Sequence, residues 1–206
     1  MLLTMDQLVN NAAKLKFVSA GRHSVPLTVV SFVARKPGEG VQHSQSLQAL
    51  FAHIPGLKVV MPSTPNDAKG MLIAAVRDDN PVIFIEHRWL YDVEGEVYEG
   101  GNPLSLEGVQ VLHPGKDITV VATSWMNVEA VHAAKILARR GVGVEVIDCR
   151  SVAPFDREAV LASVRKTGHC IVADNDWINC GFSPNRCFES KLRLKNLSDP
   201  DVRSFI

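Results

Sequence analysis

The stretch Leu57–Glu86, LKVVMPSTPNDAKGMLIAAVRDDNPVIFIE, decides the fold class. It opens on one short apolar run, Leu57–Met61, and closes on another, Pro81–Glu86. Between them, Ser63-Thr64-Pro65-Asn66-Asp67 sets a hydroxyl residue ahead of a proline that suits a first helical turn. Asp67 then meets the positive end of the helix. Ala68, Met71, Leu72, Ala75 and Val76 follow at i, i+3, i+4, i+7 and i+8, predicting one apolar helix face. The helix stops at Asp78-Asp79-Asn80-Pro81, because Pro81 disfavours helix at the residue before it. The unit is strand, helix, strand.

The same alternation extends outward in both directions. Further β-rich runs lie at Val25–Ala34, Asp117–Thr123, Val142–Cys149 and Cys170–Asp174. Most are nearly continuous in Val, Ile and other apolar residues, as in strands covered on both faces of a parallel sheet. Helices are predicted over Met5–Lys16, Ser44–Phe51, Asn127–Arg140 and Asp156–Lys166. Val131, Ala134, Leu137 and Ala138 are the expected buried stripe of the third, with Gly141 beyond its end. Val160, Leu161 and Val164 point inward from the fourth, which Gly168 ends. The expected fold is α/β, with two consecutive parallel-sheet domains over residues 1–100 and 101–206. Val93–Pro114, rich in Gly and Glu, reads as the linker between them. The tail from Phe188 is polar and offers no closing strand, so it packs on a partner or belongs to an incomplete chain.

Composition narrows the function classes. The chain has 206 residues, 46% hydrophobic and 21% charged, with a formal net charge of +0, so it offers no basic groove for nucleic acid and no cationic membrane surface. No apolar run approaches the ~20 residues that span a bilayer. Asp6 precedes any basic residue and no signal-type apolar region follows, so the expected setting is the cytosol or an organelle matrix. Cys149 and Cys170 read as small core residues. Cys180 and Cys187 flank Gly-Phe-Ser-Pro, and that compartment argues against a disulfide between them.

The candidate chemistry sits in Arg35-Lys36-Pro37-Gly38-Glu39-Gly40-Val41-Gln42-His43-Ser44-Gln45-Ser46. This Gly-rich turn follows a strand and enters a predicted helix, the place where α/β sheets bind ligands. His43 stands there. A helix dipole behind it would favour the neutral ring, which can accept or donate a proton. His53, before Pro55-Gly56, suits a helix C-terminus. Glu86-His87 closes a strand and could line a cleft. There is no Gly-x-Ser-x-Gly elbow, phosphate-binding loop or His-Glu-x-x-His helix, so classical hydrolase, nucleotidase and zinc-enzyme readings are poor.

Taken in order, several segments resemble one family. They are Asp6-Gln7-Leu8-Val9-Asn10-x-Ala12-Ala13-Lys14, Gly40-x-Gln42-His43-Ser44-Gln45-Ser46, His53-x-Pro55-Gly56-Leu57-Lys58-Val59-Val60-x-Pro62-Ser63 and Asp67-Ala68-Lys69-Gly70. Arg77-Asp78-Asp79-Asn80-Pro81-Val82, Gly115-Lys116-Asp117-Ile118-Thr119-Val120-Val121 and Val144-Glu145-Val146-Ile147-Asp148-x-Arg150-Ser151-Val152-x-Pro154-Phe155-Asp156 complete the series. The chain is similar to the β subunit of the decarboxylating component of 2-oxo-acid dehydrogenases: pyruvate, branched-chain 2-oxo-acid and acetoin dehydrogenases.

The resemblance implies the later part of a transketolase-like pyrimidine-binding domain followed by a transketolase C-terminal-type domain. It implies thiamine diphosphate with Mg²⁺ shared with an α subunit, a β–β dimer within a heterotetramer, and delivery of the acyl group to a lipoyl-bearing acyltransferase core. His43 matches the family's active-site histidine. A structural potassium ion is implied at Leu27, Ala75, Val76, Asp78 and Asn80, mostly through backbone oxygens. The family's cofactor-activating glutamate and its pyrimidine-stacking aromatic lie upstream of the Asp6 segment, so neither is expected in this chain. The expectation is therefore a β subunit truncated at its N-terminus, inactive alone. Two alternatives stay open: a transketolase-like or deoxyxylulose-phosphate-synthase-like ketol transferase, for which Arg35, Lys36 and Arg88 are available cations, and a non-catalytic assembly or regulatory remnant.

Overall fold

The Leu57–Glu86 unit forms as its sequence requires. In the computed structural model, which describes residues 2–34, 40–177, 179 and 181, β2 (Lys58–Val60) leads into α3 (Pro65–Val76) and then β3 (Val82–His87). Thr64 is the helix cap: its Oγ1 accepts from the Asp67 backbone N–H at 3.1 Å. The buried face differs from the expected stripe. Val76 is 64% exposed, and the face turned inward carries Asp67, Gly70, Met71 and Ala75. Gly70 explains the rotation: a Cβ there would overlap the Leu104 side chain, so Leu104 packs directly on the helix backbone.

Among the described residues, eight strands form two four-stranded sheets. The first has the order β1-β3-β2-β7, with β1 at Thr28–Val33 and β7 at Ser151–Ala153. The second has the order β4-β6-β5-β8, with β4 at Gln110–His113, β5 at Ile118–Ala122, β6 at Val144–Asp148 and β8 at Cys170–Ala173. Each has a parallel body with one antiparallel edge, β7 on β2 and β4 on β6. Only Cys149 and Arg150 separate β6 from β7. That is far too short for a parallel crossover, so the chain leaves the second sheet and joins the first.

The remaining helices are α1 (Ala13–Val18), α2 (Gln48–Ala52), α4 (Trp125–Ala138) and α5 (Arg157–Thr167). Ahead of α1 the chain is already helical from Met5, with Gln7–Ala12 wound as a π-helix. Asp156 caps α5 by accepting from Ala159 N–H at 3.0 Å, and Gly168, at φ 75°, ends it in the left-handed conformation.

Strand alternation sorts the core into three layers. Val59, Met61, Ile83, Ile85 and Ile147 share one central cluster that joins both sheets. Their sequence neighbours Val60, Val82 and Phe84 face α3, while Val144 and Val146 face α4. The predicted linker is not free of structure. Leu104 and Leu106 pack under α3, and Gln110–His113 is a strand of the second sheet. Cys149 is buried and Cys170 half-buried. Cys180, Cys187, Arg35, Lys36 and the tail beyond Gly181 lie outside the described residues. Among the described residues, no helix is long and apolar enough to cross a membrane.

Candidate active site

β1 and β3 are parallel neighbours, and their C-terminal ends open on a cavity of about 710 Å³. Val33, Ile85, Leu47 and Phe51 give it apolar walls. Its polar groups are Ser31, Gln42, His43, Gln45 and Arg88. A concave, mostly apolar site with a few convergent polar groups, at the carboxyl ends of parallel strands, is the usual place for a ligand in this architecture.

His43 reaches this cavity by a different local structure from the one expected. The helix predicted from Ser44 does not form there. Val41–His43 is one turn of 3-10 helix, and α2 begins only at Gln48. Gly40 starts the turn at φ 63°, a region that favours glycine, and Ser44 Oγ donates to the Gly40 carbonyl at 2.7 Å to close it. Four residues and a short, five-residue helix stand behind the ring, so the helix-dipole argument for a neutral imidazole does not apply. What stands in its place is exposure: the His43 side chain lies open on the cavity wall.

Arg88 shares that wall. Its guanidinium carbon sits 6.0 Å above the Phe32 ring, which Tyr91 meets edge-on at 6.4 Å. Tyr91 in turn donates to Glu86 Oε2 at 2.7 Å. Ser31 and Phe32 had no signal of their own in the sequence, because their place at the cavity comes only from strand ends meeting a distant loop.

His87 is not a cleft residue. Its side chain is 1% exposed, stacked on Trp125 at 6.1 Å and flanked by Trp89 at 5.3 Å. Nδ1 accepts from Trp89 N–H at 3.3 Å, and the Asn175 side-chain amide meets Nε2 through Nδ2 at 2.9 Å. Burial pushes the His87 pKa down to about 4. His53 is exposed at the C-terminal cap of α2, the kind of position its sequence context suggested.

The five residues of the implied potassium site surround the end of α3. Asp78 Oδ2 accepts from Lys58 Nζ at 2.6 Å, and Asp78 Oδ1 accepts from both nitrogens of Asn80 at 2.8 Å. Asn80 Oδ1 accepts from Lys16 Nζ at 2.8 Å. The Leu27 and Ala75 carbonyls each already accept one backbone N–H, from Val82 and Asp78. The side-chain oxygens are thus committed to two ammonium groups and to the Asn80 nitrogens. Burial raises the Asp78 carboxyl, but the bonds from Lys58 and Asn80 outweigh it and hold the group below the ordinary range. Among the described residues, no three His, Cys, Asp or Glu side chains are grouped to hold a metal.

Comparison with known proteins agrees with this layout. The transketolase pyrimidine-binding domain matches residues 4–93, and the transketolase C-terminal domain matches residues 107–185. The chain belongs to the transketolase-like family. Members of the family are thiamine-diphosphate dependent. Among curated relatives, the acetoin:2,6-dichlorophenolindophenol oxidoreductase subunit beta of Cupriavidus necator is 42% identical over 178 residues, 86% of this chain and 53% of that protein. The mitochondrial pyruvate dehydrogenase E1 component subunit beta-2 of rice is 38% identical over 187 residues, 89% of this chain and 50% of that protein. The chain therefore spans about half the length of the curated relatives it matches. A solved split-gene transketolase, described as an inactive beta4 tetramer, shares the fold with a TM-score of 0.68 at 21% identity, covering 94% of this chain and 61% of that one.

Proposed function

We propose that this chain is the β-subunit portion of a thiamine-diphosphate-dependent 2-oxo-acid dehydrogenase component, with His43 as its proton-transfer residue. The observation that carries the reading is His43 standing exposed on the cavity at the C-terminal ends of β1 and β3. The subunit names of the relatives point the same way. Thiamine diphosphate, when bound, supplies the nucleophilic carbon and the electron sink that carbon–carbon cleavage beside a carbonyl needs. In this reading His43 holds or moves a proton at its imidazole, Arg88 offers the substrate's carboxylate a cation, and Val33, Phe51 and Ile85 keep water from the reacting end.

The fit to the cofactor is partial. Among the described residues lining the cavity there is no Asp or Glu, so a carboxylate for the aminopyrimidine has to come from elsewhere. The proposed site is completed together with an α subunit, which brings Mg²⁺ with the cofactor. A β–β dimer and a lipoyl-bearing acyltransferase core are the further partners, in the cytosol or a mitochondrial matrix. A potassium ion on backbone oxygens of Leu27, Ala75, Val76, Asp78 and Asn80 belongs to the same proposal. Raised thermal stability in KCl over NaCl at equal ionic strength supports that ion, and equal stability removes it.

The test is assembly with a pyruvate dehydrogenase-type α subunit, followed by calorimetry with thiamine diphosphate and Mg²⁺ and turnover of 2-oxo acids. Heat is expected only with the partner, and turnover only when a carboxylate for the aminopyrimidine is supplied as well. His43→Ala should leave assembly intact and lower kcat by about 10²–10⁴-fold, the usual contribution of general acid–base catalysis. Full activity in His43→Ala refutes the assignment, and no cofactor binding with any partner leaves the non-catalytic reading in its place.

A further inference from the structure

A second cleft, of about 530 Å³, is lined by the start of α3, α4, strand β4 and the Val93–Tyr98 loop, and shares no lining residue with the His43 cavity. Asn127 is among the residues that line it. This side chain is 1% exposed. Its Nδ2 donates to Asp148 Oδ1 at 2.7 Å, while its Oδ1 has no hydrogen-bond partner among the described residues. A buried amide oxygen left unpaired costs about 1–3 kcal/mol, so it calls for a donor from outside the protein.

The charges beneath Asn127 say what kind of donor. Asp148 accepts from Asn127 and from Ser63 Oγ, and Asp67 accepts from Arg150 Nη1 at 2.5 Å. This buried group holds two carboxylates and one guanidinium, so it lacks one cation. Burial, with Asp67 close by, raises the Asp148 carboxyl to about 7, in keeping with that shortage. α4 adds Val131, one turn beyond Asn127, together with His132 and Lys135, β4 adds Leu112, and the loop adds the exposed Glu94 and Glu96. The cleft therefore offers a buried hydrogen-bond acceptor beside excess negative charge, apolar side chains and two exposed carboxylates.

We propose that this cleft binds an aliphatic amine, with one primary ammonium donating to Asn127 Oδ1, its methylenes against Val131 and Leu112, and a second ammonium at Glu94 and Glu96. The site is separate from the His43 cavity and does not depend on the reading of that cavity.

The experiment is isothermal titration of the chain, alone or in its assembled complex, with α,ω-diaminoalkanes of graded length, the matching monoamines, and tetramethylammonium, which has charge but no N–H. Saturable binding is expected for diamines, weaker binding for monoamines and none for tetramethylammonium. Asn127→Leu should abolish binding, and His43→Ala should leave it unchanged. Because Asn127 is buried and its variant could fail to fold, the exposed pair Glu94→Gln and Glu96→Gln is measured as well. That pair should bring diamine affinity down to the monoamine level, roughly a tenfold loss or more. No saturable amine binding, equal binding of tetramethylammonium, or diamine affinity untouched by Glu94→Gln and Glu96→Gln overturns the proposal.

Discussion

His87 makes the stability of this protein depend on pH in a way that can be worked out from its surroundings. Its pKa in the fold is about 4, against an ordinary value of 6.5, because burial disfavours the charged ring. A group whose folded pKa is depressed binds more protons when unfolded, so for a histidine the stability it allows is present above pH 6.5 and is lost as pH falls toward 4. With those two values, the loss between pH 7 and pH 4.5 is about 2 kcal/mol by linkage, and solvent screening removes little of it because the side chain is only 1% exposed.

Asp148 works in the opposite direction. Its folded pKa is raised to about 7, so the fold gains stability as pH falls through 7 toward 4. A bare pH scan of the protein therefore mixes two opposed contributions. The comparison that isolates His87 is wild type against His87→Gln, which removes the titrating ring and keeps a group able to bond Asn175. Urea unfolding at pH 7 and pH 4.5, followed by tryptophan fluorescence, measures both, and Trp89 and Trp125 report from beside the site. The advantage of wild type over the variant should shrink by about 2 kcal/mol between the two pH values. A difference that stays constant within ~0.5 kcal/mol, or an imidazole that titrates near 6.5 by NMR, refutes the reasoning.

Three other substitutions test separate parts of the structure. Gly56→Ala should cost about 2 kcal/mol or more in urea unfolding, because Gly56 sits at φ 100° and a Cβ there would overlap the Ala13 carbonyl. Thr64→Ala should cost about 1 kcal/mol by the same assay, through loss of the α3 cap at Asp67 N–H. Lys166→Met should destabilise by roughly 2 kcal/mol at pH 7, because it leaves Glu145, only 4% exposed, without its ion-pair partner. Burial raises the Glu145 carboxyl, but bonds from Lys166 and Ser163 outweigh this and hold it below the ordinary range. Its contribution is thus present above the unfolded pKa and lost as pH falls through the lower folded one, and the gap between wild type and Lys166→Met should close in acid.

Local chemistry made much of this protein legible in its sequence. Six of the eight strands announce themselves as apolar runs, and the ends of α3 and α5 are written in Thr64, Pro65, Asp156 and Gly168. These are short-range signals: a hydroxyl or carboxylate next to an unsatisfied N–H, a proline that cannot continue a helix, a glycine that tolerates the left-handed turn. The ordered motifs around His43 also identified the family, from which the role proposed for His43 was taken. The two missed strands, Gln110–His113 and Ser151–Ala153, are short edge strands whose pairing partners lie far along the chain. The inward face of α3 depends on Leu104 meeting Gly70, a contact the helix's own pattern does not encode. His87 looked like a cleft residue because strand ends line clefts, yet two tryptophans and Asn175 from other elements enclose it. Periodicity and capping act over a few residues and could be read directly. Which faces meet, which histidine stays open on a cavity and which carboxylates lack a counter-charge are set by contacts between distant segments, and only the tertiary structure decided them.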